Sequence, residues 1–97
     1  MKKLISTLYE RIVLLEKNED ITSTTAKMYN DIINTRANIV PDQLNKFQYN
    51  VIFPKPPPSF RYKRISAIRW NGNEYKLTSK LTPFNNIFFK GIFEKSF

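Results

Sequence analysis

The chain has 97 residues, with 16 Lys/Arg against 8 Asp/Glu for a net charge of +8, and it contains neither Cys nor His. That length allows one domain with a modest core. The missing side chains exclude thiolate nucleophiles, a disulfide framework and the usual zinc ligands, and they remove the best proton-transfer group near neutral pH.

No run of about 18 apolar residues is present, so no transmembrane helix is expected. The basic start Lys2-Lys3 is followed by Glu10, Arg11 and Glu16, which interrupt any signal-peptide core. The setting expected is therefore intracellular, or inside a virion or organelle assembly. Ile, Lys, Asn, Phe and Tyr make up 45 of the 97 residues. A/T-rich codons encode these residues, which points to a phage, a virus, a low-GC bacterium or an organelle as source.

From the start of the chain, Leu4, Leu8, Ile12 and Leu15 recur at helical spacing, flanked by Ile5, Tyr9 and Val13. The pattern predicts an amphipathic helix over 2–17 that ends at Asn18-Glu19-Asp20. The run Thr22-Ser23-Thr24-Thr25 offers N-caps for a second helix through Met28, Tyr29, Ile32 and Ile33 to about Ala37. Pro41 blocks its continuation, and 41–47 opens at most a short helical turn. Residues 49–53 are apolar and β-prone. They lead into Pro54-Lys55-Pro56-Pro57-Pro58-Ser59, which reads as an extended polyproline spacer.

Beyond the spacer, Asn71-Gly72 signals a two-residue hairpin turn. It pairs Trp70 with Asn73, Arg69 with Glu74, Ile68 with Tyr75 and Ser66 with Leu77. One face then holds Ile68, Trp70, Tyr75 and Leu77, and the other Ile65, Arg69, Glu74 and Lys76. In the final segment Phe84, Phe88, Phe89, Phe93 and Phe97 fit helix and strand spacing equally. So much aromatic surface has to pack on the chain itself, on a partner or on lipid.

Reaction machinery is sparse. The only glycines are Gly72 and Gly91, and neither opens a phosphate loop. The carboxylates are scattered without metal-loop spacing. No catalytic residue, metal or cofactor is expected. Residues 51–97 carry nine Lys/Arg against two acids. Within them, Arg61, Tyr62, Lys63, Arg64, Arg69, Trp70 and Lys76 interleave cations with aromatics, as a nucleic-acid surface or an acidic-protein contact does.

The sequence thus predicts an α+β chain divided into a helical docking segment (1–53), a spacer (54–59) and a basic β-hairpin with a Phe-rich tail (60–97). The function it suggests is a non-enzymatic structural or accessory subunit of a larger assembly, such as a phage or viral head, neck or tail. Docking to protein subunits is assigned to Leu4, Leu8, Ile12, Leu15, Phe84, Phe88, Phe89, Phe93 and Phe97. The alternative is a nucleic-acid-binding protein or ribonucleoprotein subunit using residues 60–76. An inhibitor of a host enzyme also suits so small a chain.

Overall fold

Ile12-Val13-Leu14-Leu15 is a continuous apolar run, and in the computed structural model, which describes residues 10–18, 28–56 and 64–95, it is a strand rather than a helix. Strand β1 spans Glu10–Lys17. Ile12 and Leu14 enter the main core, while Leu15, on the opposite face, packs with Tyr29 and Ala67. A strand covered on both faces reads as an unbroken apolar run, and the helical spacing at 12 and 15 is a by-product of that coverage. Leu4 and Leu8, which complete the helical stripe, lie outside the described residues.

The second helix is corrected in the same way. Strand β2, Tyr29–Pro41, runs antiparallel to β1 and carries the β-branched residues Ile32, Ile33, Thr35, Ile39 and Val40, which suit a pleated surface better than a helix. Its register shifts by one residue opposite the Leu14/Leu15 step: Leu14 faces Ile33 but Leu15 faces Asp31. The extra residue, Ile32, lets both Ile32 and Ile33 pack on the main core. The bulge thereby imitates the spacing of a helix face. Residues 42–47, where a helical turn is expected, form the connection to β3, Gln48–Pro54.

Strands β4 (Ile65–Trp70) and β5 (Asn73–Leu77) form the hairpin read from Asn71-Gly72, with Trp70, Arg69 and Ile68 opposite Asn73, Glu74 and Tyr75. Both turn residues have positive φ, 52° and 79°. Ile65 departs from the face assigned to it. Leu15 pairs with Ala67 but Glu16 with Ile65, a second bulge, which places Ile65 in the main core with Ile68.

The Phe-rich segment resolves into β6 (Thr82–Phe84) and β7 (Phe88–Lys95), with Asn85 and Asn86 in left-handed conformation between them. One edge of β7 pairs with β3 along its length, while the other meets β6 near its start and β5 near its end. The antiparallel order β1-β2-β3-β7-β5-β4 returns to β1 and closes a six-stranded barrel, with β6 an added short strand. The α+β expectation is therefore replaced by an all-β fold. Strands from both sides of the proline stretch share this one sheet.

The interior is filled by side chains, as in small barrels generally. Phe53, Phe93, Leu14, Ile68 and Val51 are almost wholly buried. Near the 71–72 turn, Tyr49, Trp70 and Tyr75 pack edge-on or tilted, with centroids 5.4 to 5.6 Å apart. With the barrel filled, the outer surface and the loops are left to carry function.

Candidate functional site

Of the basic stretch expected to contact nucleic acid or an acidic partner, Arg61, Tyr62 and Lys63 lie outside the described residues. Arg64 pairs with Glu16 at 3.3 Å. Arg69 pairs with Asp31 at 3.1 Å and Glu74 at 3.7 Å, and the hydrogen bond to Asp31 raises its already high pKa. The Trp70 indole sits in the aromatic trio and donates from Nε1 to Glu10 Oε1 at 3.0 Å. Lys76 is exposed and borders a pocket of about 320 Å³ with Lys17, Met28 and Tyr29. Of the four described residues of this set, Arg64, Arg69 and Trp70 are engaged within the barrel and Lys76 is exposed.

The residues assigned to docking are placed as follows. Ile12, Leu15, Phe88, Phe89 and Phe93 are buried within the chain, and Phe84 is half-buried beside Phe88. Leu4, Leu8 and Phe97 lie outside the described residues.

Two surface features not foreseen from the sequence stand out. The first is the β2–β3 connection with the end of β2 before it: Leu44 is 97% exposed, and Phe47 and the β2 residue Val40 are about half so, at 46% and 47%. The loop is tightly pinned. Asp42 Oδ2 accepts from the amides of Asn45 (3.0 Å) and Leu44 (3.3 Å), and Asn45 Oδ1 accepts from Phe47 N at 3.0 Å. Asp42 N donates to Gln48 O and Gln48 N to Asn45 O, while Lys95 N donates to Phe47 O, tying the loop to β7. Side-chain capping of this kind holds a turn in one shape. The signal available in the sequence was Pro41-Asp42 followed by Asn45, a turn chemistry outweighed by the expected helices.

The second feature lies on the outer face of β1 and β2. Arg11 stands directly opposite Arg36, and the next outward pair is Val13 and Asn34. Together with Ile12 and Thr35 these residues line a cleft of about 430 Å³. Neither arginine pairs with a carboxylate of the described residues, whereas Arg64 and Arg69 both do. Cross-strand register brings the two together, and nothing in the linear sequence marks them as neighbours.

Among the described residues no cluster of three or more acidic side chains could hold a metal ion, and no helix is long and apolar enough to cross a membrane. No protein-family model, curated protein or solved structure matches the chain.

Proposed function

We propose that this protein is a non-enzymatic subunit of a larger assembly, and that it docks a neighbouring protein subunit through the β2–β3 hairpin. The observation that carries this reading is Leu44, held almost wholly in water on a loop whose backbone is pinned by Asp42 and Asn45. Fully burying a leucine side chain is worth about 1.5 to 3 kcal/mol. A rigid loop presents that side chain with little ordering cost on association. Phe47 and Val40 widen the apolar surface at the base, and Lys46 lies over the Phe47 ring. An apolar centre bordered by a polar, solvent-accessible rim is the layout of a protein interface. The A/T-rich residue set agrees with a viral particle as the setting.

The test is incorporation. The Leu44→Asp variant is expected to fold with unchanged thermal unfolding yet to be lost from the complex that carries the wild-type chain at fixed stoichiometry. Leu44→Met should be retained. A Leu44→Asp chain that still enters the same complex at the same stoichiometry would overturn the docking role of the hairpin.

A further inference from the structure

We infer that Arg11 and Arg36 form a two-arginine clamp for the phosphate backbone of a nucleic-acid strand lying along the outer face of β1 and β2. This site lies on the strands β1 and β2, apart from the 42–47 loop that presents Leu44, and does not rest on the assembly reading.

Like charges placed directly opposite on neighbouring strands repel and cost stability. Elsewhere on this barrel the described arginines avoid such cost by pairing with acids: Arg64 with Glu16, and Arg69 with Asp31 and Glu74. Arg11 and Arg36 are in register with each other and have no such acid among the described residues. Glu10 is adjacent in sequence to Arg11, but alternation turns it to the opposite face, where it accepts the Trp70 indole hydrogen. The pair therefore presents to one cleft two exposed guanidinium groups that no acid of the described residues neutralises.

A phosphodiester answers that arrangement. The planar guanidinium fork binds phosphate oxygens in a bidentate manner, and two forks facing one cleft can share a single phosphate. The cleft, about 430 Å³, has room for a phosphate with its sugar, and Asn34 adds an amide donor to its lining.

The surface continues in the same sense. Lys17, on the same face of β1 about 20 Å from Arg11 at the usual rise per residue, is exposed, with Val13 and the buried Leu15 between the two cations. A net charge of +8 supplies long-range attraction to a polyanion. Among the described residues the cleft is lined by no aromatic side chain, so these residues contact the backbone and not the bases.

The experiment is fluorescence anisotropy of labelled mixed-sequence single-stranded and duplex oligonucleotides across a salt series. It compares wild type, Arg64→Gln, Arg11→Lys/Arg36→Lys and Arg11→Gln/Arg36→Gln. The slope of log affinity against log salt is expected to fall in magnitude by about one for the double Gln variant, which gives up the single phosphate the two arginines share. It should change little in Arg64→Gln and be kept in the double Lys variant, with weakened affinity. Thermal unfolding of the double Gln variant should be unchanged or raised, since a repulsion has been removed. An unchanged slope in that variant would overturn the proposal. So would pair-dependent binding to vesicles containing phosphatidylserine with no binding to either oligonucleotide.

Discussion

The indole of Trp70 donates to the carboxylate of Glu10 across 3.0 Å, joining the first residue of β1 to the last residue of β4. The bond holds the indole N–H while Tyr49 and Tyr75 pack against the ring system. Glu10→Ala leaves a partly buried N–H without its partner and is expected to cost about 1 to 3 kcal/mol. Glu10→Gln keeps an acceptor oxygen and should cost less. Trp70 is the single tryptophan, so urea unfolding followed by its emission measures both variants, with an equal loss in the two counting against the hydrogen bond.

The two glycines serve unrelated ends. At Gly72 an added Cβ would meet open space, but the φ of 79° disfavours any L side chain. At Gly91 a Cβ would lie 2.7 Å from Leu81 Cδ2 and 3.0 Å from Leu77 Cδ1. Gly72→Ala should cost about 1 kcal/mol whatever its neighbours. Gly91→Ala should cost about 1 to 3 kcal/mol through overpacking, and Leu81→Ala in the same chain should relieve much of that loss. A double-mutant cycle by chemical denaturation checks this, and simple additivity of Gly91→Ala and Leu81→Ala would refute the packing account.

Stability should fall on the alkaline side for a definable reason. The Tyr29 hydroxyl is pushed above its ordinary pKa of 10 by burial and then by Glu74, and Tyr75 by burial and then by Tyr49. The folded chain therefore keeps these protons at a pH where the unfolded chain has released them. Their contribution is complete below about pH 10 and is lost as pH rises through the higher folded values. Thermal unfolding between roughly pH 9 and 11.5 should decline steeply in wild type and less steeply in Tyr29→Phe/Tyr75→Phe.

Core and surface apolar residues should separate cleanly. Phe93, wholly buried and opposite Tyr49 on β3, should cost about 3 to 5 kcal/mol as Phe93→Ala. Leu44→Ala should stay within about 0.5 kcal/mol of wild type. Differential scanning calorimetry on the pair distinguishes a residue that holds the barrel from one the barrel displays.

The legible parts of this fold were those set by local chemistry. Asn71-Gly72 specified its turn and three of the pairs beside it, and 49–53 was recognisable as a strand. The illegible parts came from bulges and from burial on both faces. Ile32-Ile33 and Ile12 to Leu15 took on helical spacing because strand geometry was locally broken or doubly covered. The Phe-rich segment fitted helix and strand spacing equally, and its strands are separated by the left-handed turn at Asn85-Asn86 between β6 and β7. Among the candidate site residues, Arg64, Arg69 and Trp70 were conspicuous by type, yet ion pairing and aromatic packing engage them within the barrel. Arg11 and Arg36 become neighbours only once the β1–β2 register is set.

Closure of the barrel divides it into two three-stranded meanders, β1-β2-β3 and β4-β5-β7, sewn together along two seams, β1–β4 and β3–β7. Both seams are bridged covalently by the segment between Pro54 and Arg64, so that segment acts as a tether. Its physical contribution is an effective concentration, which keeps each half within reach of the other. A chain cut within it would behave as a heterodimer of half-barrels, whose stability rises with protein concentration where that of the intact chain does not.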